Sequence, residues 1–505
     1  MKSRFLICAL VALALLVSAC GGGSAPTGAP ATGVSQPAQT SFPTVPTATR
    51  APNVPSGSAE PLPSASATRP AERPAGELST FALDVDTASY GYARTALKDG
   101  RLPDPGQVRP EEFVNAFRQD YAEPSGDGFA VHIDGAKASD ATALLRVGLQ
   151  TRTAEAASRR PANLTFVVDV SGSMSDPGRL DLVRDALHTL VDQLGPSDSV
   201  SIVSFSDEAR LRIPMTAAGE RGRLHEAIDT LRTEGSTNLE SGLVTGYQEA
   251  ARAFRPVATN RVILLSDGLA NLGDTTWKGI LDRVEDYAGR QVTLLCVGVG
   301  REYGDTLMEQ LADNGDGAAV YVSSREDARK VFVDRLPAAL DLRARDAKAQ
   351  VAFNPATVAS YRLLGYENRA LAEGDFRDDS KDGGEVGPGH AVTALYEVRL
   401  RPGTSGQLAV ATVRWQDPDS RQPAEASRAV DVSELSGSLW EGPSPRLQVD
   451  AVVAAFADRL RRVDGGVFEE DLGTLAGHAS RLAAATEDPM VTELAELIRT
   501  AGSLR

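Results

Sequence analysis

Asp169, Ser171 and Ser173 alternate along one short stretch, with Gly172 between the two serines. Far downstream, Thr237 lies in the polar run Gly235-Ser236-Thr237-Asn238, and Asp267 closes the run Val262-Ile263-Leu264-Leu265-Ser266. These side chains offer hydroxyl and carboxylate oxygens, with no thiol or imidazole among them. Such a hard-oxygen set suits Mg²⁺, or alternatively Mn²⁺ or Ca²⁺, rather than zinc. Alone, an Asp-x-Ser-x-Ser run is a weak signal, because Asp, Gly and Ser also build turns and helix caps. Three loops that each bring hard oxygens to a strand or helix junction make the cation reading the stronger one.

Gathering oxygens from three loops needs a rigid frame. Thr165-Phe166-Val167-Val168, just ahead of Asp169, reads as a strand buried on both faces, as in a parallel sheet covered by helices. Its carboxyl end is where open α/β sheets place their ligands. From 163 to about 340 strands and helices alternate: helices over 180–194, 221–231, 240–254, 276–288, 305–313 and 326–336. Strands are expected over 199–205, 209–213, 292–297 and 320–322, besides those ending at Asp169 and Asp267. The order predicts a doubly wound, mostly parallel α/β sheet.

The pattern Asp-x-Ser-x-Ser, then Thr, then Asp after a later strand resembles the metal-ion-dependent adhesion site of von Willebrand factor type A domains. Asp169, Ser171, Ser173, Thr237 and Asp267 fill its five positions. The resemblance implies that Ser171, Ser173 and Thr237 bind the cation, while Asp169 and Asp267 hold its waters. It also implies an open coordination position for a partner protein's Asp or Glu, and a last helix, 326–336, that shifts on occupancy. The runs Phe81 to Tyr90, Arg362 to Arg369 and Gly389 to Glu397 extend the likeness to bacterial type A lipoproteins of the YfbK kind.

At 505 residues the chain is expected to form more than one domain, and its net charge of −16 argues against nucleic acid. Lys2 and Arg4 precede an apolar run from Phe5 to Val17, as in an export signal. Val17-Ser18-Ala19-Cys20 then resembles a bacterial lipobox, with Cys20 the lipidated residue and the protein anchored on the exported face of the cell envelope. Cys8 would leave with the signal, and Cys296 sits in an apolar run as a core thiol. The expected organisation is a lipoprotein signal at 1–20, a Pro/Ala/Ser/Thr-rich tether at 21–78 and an α+β flank at 79–160. The type A domain follows at 161–340, a β-rich flank at 341–435 and a helical segment at 436–505.

Strands on both sides of the central stretch suggest that it is inserted into one β-rich domain. Asp84, Asp86 and Ser89 superficially echo the metal motif but read better as a helix cap, and a helix is expected over 111–121. A second group of acids, Asp375, Asp378, Asp379, Asp382 and Glu385, crowds one loop; it suits a second cation, but its spacing is not that of an EF-hand, and a solvated hairpin tip is the plainer reading. The five histidines are scattered, and no Gly-x-Ser-x-Gly elbow, P-loop or His-Glu-x-x-His is present. The inventory favours a binding module over a metal-dependent hydrolase. A scaffold whose metal is merely structural is the alternative.

Overall fold

The structure is a computed structural model. It describes residues 71–505 apart from 84–85, 154–159, 177, 268–270, 289–291, 301–305, 315–317, 323–324, 330, 333–341, 380, 382, 419, 443, 464–469 and 505. The strands in chain order are β1 (Arg73–Pro74), β2 (Ser79–Ala82), β3 (Phe129–Lys137), β4 (Thr142–Thr151), β5 (Ala162–Asp169), β6 (Ser199–Phe205), β7 (Ala209–Ala217) and β8 (Thr259–Ser266). They continue with β9 (Val292–Val299), β10 (Ala318–Val322), β11 (Ala344–Phe353), β12 (Val358–Leu364), β13 (Gly384–Val386), β14 (Ala391–Leu400), β15 (Gln407–Gln416) and β16 (Pro423–Asp431).

The central sheet runs β10-β9-β8-β5-β6-β7. All its pairings are parallel except that of β7, the antiparallel edge. Edge position explains how β7 tolerates Pro214. Side chains of β5 alternate between two cores: Leu164, Phe166 and Val168 enter one, Val167 the other. Helices α1 (Ala88–Lys98) and α2 (Pro110–Asn115) precede this domain; its first core lies under α3 (Arg179–Gln193) and α4 (Arg221–Asp229), and its second under α5 (Leu239–Arg252), with Ile280, Val284 and Leu311 from later helices. Of the expected 326–336 helix, the structure describes Arg325–Arg329; residues 333–341 lie outside the described residues.

The flanks pair across this insertion. β4, ahead of it, pairs with β14, behind it; β2 likewise pairs with β11. Two antiparallel sheets result, β1-β12-β14-β4-β3 and β13-β11-β15-β16 with β2 on β11. Phe81, Leu145, Val147, Val351, Tyr396 and Val413, drawn from both, share one core. Strands β4 and β14 are buried on both faces: Leu145 and Tyr396 enter that core, while Leu144 and Leu395 enter a second one under helices.

A third layer joins both ends of the chain. Tyr90, Phe113 and Phe117 pack with Val452, Phe456 and Leu494 of the C-terminal helices Pro445–Arg461 and Pro489–Ser503. The segment between 472 and 498 is two helices rather than one. Glu487, at φ 51°, ends Leu472–Thr486, and Asp488 with Pro489 starts the next.

Three expectations are corrected. Residues 73 and 74, assigned to the tether, pair antiparallel with β12. The helix expected over 111–121 stops at Asn115, because the Gln119 amide donates to the carbonyls of Val114 and Phe117 (3.3 and 3.2 Å) and closes its open end. Asp86 does not cap the following helix. Its Oδ1 accepts the Ala319 N–H of edge strand β10 at 3.0 Å, covering a ladder group that would otherwise lie bare.

Candidate metal centre

Strand β5 delivers Asp169 fully buried at the carboxyl edge of the sheet. Asp169 Oδ1 accepts the Ser171 N–H at 2.8 Å, a side-chain turn that bends the chain as soon as the strand ends. Asp169 Oδ2 accepts the Ser266 hydroxyl at 2.6 Å, tying the end of β5 to that of its neighbour β8. Buried Met174 roots the loop in the core beneath. The Ser171 and Ser173 hydroxyl oxygens consequently stand 3.1 Å apart.

The second loop is fastened to the first by backbone. Gly172 N–H donates to the Gly235 carbonyl at 3.0 Å, and Glu234 N–H to the Val170 carbonyl at 2.6 Å. Gly235 adopts φ +65°, and a Cβ there would lie 2.4 Å from Asp207 Oδ2. The position requires glycine on both counts. Asp207 Oδ1 in turn accepts the Ser236 N–H at 2.8 Å, and Asn238 caps α5 through the Ser241 N–H. Thr237, between them, is 2% exposed.

The third loop closes the set. Thr237 N–H donates to Asn271 Oδ1 at 2.9 Å, while Asn271 N–H donates back to the Thr237 carbonyl at 3.0 Å. Asp267, 7% exposed, has its Oδ2 paired with Arg179 Nη1 at 2.7 Å. Its Oδ1 is buried and accepts no hydrogen bond. An uncompensated buried carboxylate oxygen is costly, and a cation or its water is the kind of group that would satisfy it. The loops that carry Asp169, Ser171, Ser173, Thr237 and Asp267 are thus joined at one edge of the sheet. Burial pushes the Asp169 carboxyl up to about 6; hydrogen bonds from Ser171 and Ser266 oppose this, and the charge of Asp267 adds to it. Both the orphaned oxygen and the burial-raised acid fit a cation at this edge of the sheet.

Sequence reasoning missed Arg179, Asn271 and the hydroxyl of Ser266. Arg179 opens α3 and also donates to the Ser173 carbonyl at 3.2 Å. Gly300, at φ +119°, leaves it room, since a Cβ there would meet Arg179 Nε at 2.8 Å. A basic residue at the first turn of a helix, against the usual acidic preference, was the available signal.

The acid-rich loop behaves differently. Asp379 pairs with Arg414 at 2.8 Å, and Asp375 Oδ2 accepts the Ala372 N–H at 3.2 Å inside a short turn. Asp378 contributes its carbonyl to Lys348 Nζ at 2.7 Å. Glu385 lies on β13, where its charge acts on Arg261, a guanidinium that burial pulls down to about 10. Asp382 lies outside the described residues. Among the described residues, no group of three or more His, Cys, Asp or Glu side chains converges on a possible metal position, in this loop or elsewhere.

Comparison with known proteins accords with this architecture. A family model for the von Willebrand factor type A domain matches residues 163–334, and one for the C-terminal part of uncharacterized protein YfbK matches 338–405. A third, described as von Willebrand factor, matches 64–145. Uncharacterized protein YfbK of Escherichia coli (strain K12) is 32% identical over 414 residues, spanning 76% of this chain and 71% of that protein. Inter-alpha-trypsin inhibitor heavy chain H4 of Sus scrofa is 27% identical over 231 residues, 44% of this chain but 25% of the relative. A solved von Willebrand factor type A structure from Catenulispora acidiphila aligns with 74% of this chain and 89% of its own, at 16% identity and a TM-score of 0.45. The chain belongs to the YfbK-like family of von Willebrand factor type A domain proteins.

Proposed function

We propose that this protein binds a partner protein through a divalent cation held by Ser171, Ser173 and Thr237, with Asp169 and Asp267 behind them. Mg²⁺ is the expected ion, with Mn²⁺ or Ca²⁺ as alternatives. When bound, the cation supplies an electrophilic position that a partner's Asp or Glu completes. The residues of the chain prepare the place. Asp169 is held by two hydrogen bonds, the two serine hydroxyls are set side by side, and Asp267 keeps one oxygen available. That available oxygen carries the proposal.

The three loops are joined by their own hydrogen bonds and by the Arg179–Asp267 pair. A cation used for binding, and not for folding as in the scaffold alternative, should leave the melting temperature unchanged by EDTA while partner recovery is lost. The sequence offers no Gly-x-Ser-x-Gly elbow, P-loop or His-Glu-x-x-His, and binding is proposed over hydrolysis. The proposed setting is the cell envelope, with lipidated Cys20 as the anchor. Among the described residues no helix is long and apolar enough to cross a membrane.

The test is recovery of partners from a cell-envelope extract by wild type and Asp169→Ala, each with and without EDTA. Recovery confined to wild type without chelator is expected. Equal recovery in all four samples removes the proposal. Incorporation of a clickable fatty acid, lost in Cys20→Ser, checks the anchor.

A further inference from the structure

On the face of the central domain formed by α3 and α4, two imidazoles meet. His188 Nδ1 and His225 Nδ1 are 2.6 Å apart, while their ring centroids are 4.8 Å apart. A centroid separation so much longer than the nitrogen separation means that the rings meet edge to edge, with each Nδ1 directed at the other. On their far sides, His188 Nε2 lies 3.2 Å from Asp229 Oδ1 and His225 Nε2 lies 3.2 Å from Asp192 Oδ1. A carboxylate accepts and does not donate, so both Nε2 atoms carry hydrogen. A neutral imidazole has only one. Two neutral rings in this arrangement therefore aim two lone pairs at one another, and something positive must sit between them.

We propose that His188 and His225 form a binding seat for a transition-metal dication such as Zn²⁺, separate from the five-oxygen site. A carboxylate behind each ring is the outer arrangement that fixes tautomer and raises basicity in histidine metal sites. Imidazole prefers Zn²⁺, Cu²⁺ or Ni²⁺ to Mg²⁺, so the domain would sort its cations by ligand chemistry. Two nitrogens on one tetrahedral zinc stand about 3.3 Å apart with their lone pairs meeting at about 109°, so the rings must part by less than about 1 Å and each tilt by about 35° to accept it. The rings are 30% and 29% exposed, leaving water to complete the coordination. Arg184 leans on Asp229 at 3.3 Å and Arg221 on the Asp192 carbonyl, so two acids and two arginines frame the pair. Where a proton bridges the two Nδ1 atoms, the cation takes its place and the proton goes to solvent.

Calorimetric titration of the full-length chain with Zn²⁺, in excess Mg²⁺ and in buffers of different ionisation enthalpy, tests the seat. One high-affinity equivalent is expected, with release of up to one proton. Affinity should fall at least about tenfold in His188→Gln and in His225→Gln, and a lesser amount in Asp192→Asn. Asp169→Ala should bind Zn²⁺ as the wild type does. No uptake by wild type, or equal uptake in both glutamine variants, overturns the proposal. If either variant fails to fold, Cu²⁺ electron paramagnetic resonance of the wild type decides. Hyperfine coupling to two imidazole nitrogens supports the seat, and oxygen-only coordination overturns it.

Discussion

Two loops of this protein are rich in oxygen ligands, and they meet opposite fates. At the end of β5, burial raises Asp169 to about 6, and Asp267 keeps a buried oxygen with no donor. In the region of the acid-rich loop, Arg377 and Arg414 converge on Glu425 and Asp379. The hydrogen bond from Arg377 is the foremost cause that holds Glu425 below its ordinary value. Arginines occupy both carboxylate oxygens of Asp379 and of Glu425, leaving little for a metal; Asp267 meets arginine with one oxygen only and keeps the other, buried, without a donor. Partner satisfaction, rather than acid count, separates a cation site from a solvated acidic surface.

Five variants can break or sharpen this contrast. The largest effect is expected from Asp169→Ala, which should weaken Mg²⁺ binding at least about 100-fold by calorimetry, since it removes the acid on which the loop is built. In the same assay Asp375→Asn with Asp378→Asn should leave both stoichiometry and affinity unchanged; a lost equivalent would show a second ion in the acid-rich loop. Next comes Gly235→Ala, expected to cost about 1–2 kcal/mol in urea denaturation, because φ +65° and the crowding carboxyl of Asp207 both reject a side chain. It should weaken cation binding as well, through the bond between Gly172 and Gly235.

The pH dependence is smaller. Glu425 has a folded-state value below that of the unfolded chain, so its contribution is present above about pH 4.5 and is lost as pH falls through the lowered value. The group is largely exposed, so less than about 1 kcal/mol is at stake. Glu425→Gln should flatten that acid limb of the stability curve. Smallest of all, Asp379→Asn should cost below about 0.5 kcal/mol, because its pair with Arg414 stands partly in solvent.

Much of the central domain was legible in the sequence because its signals are local. Continuous apolar runs marked β5, β8 and β9, and Asp169 and Asp267 fell where those runs stopped. The flanks were only half legible. Alternation located β12 and β14 to the residue, yet the short apolar content of 423–431 concealed most of β16, whose exposed side chains leave no pattern. Arg73 and Pro74 look like linker and gain strand geometry only from β12. Asp86 read as a helix cap because a sequence displays only a residue's neighbours along the chain. Its partner, the Ala319 N–H, lies more than two hundred residues away. Arg179 was missed for the same reason: its pairing with Asp267 is a property of the assembled sheet.

The insertion has a mechanical consequence. A pull applied ahead of Arg73 would first peel β1, two residues long, from the rim of its sheet. It would next load β2, where four residues lie against β11 in the middle of the other sheet. With the load held at the β5 end of the central sheet, the same force passes through every part between. A two-residue pairing has the fewest hydrogen bonds to lose, so the amino end would lengthen at this sacrificial zipper before the loops around Asp169 were disturbed.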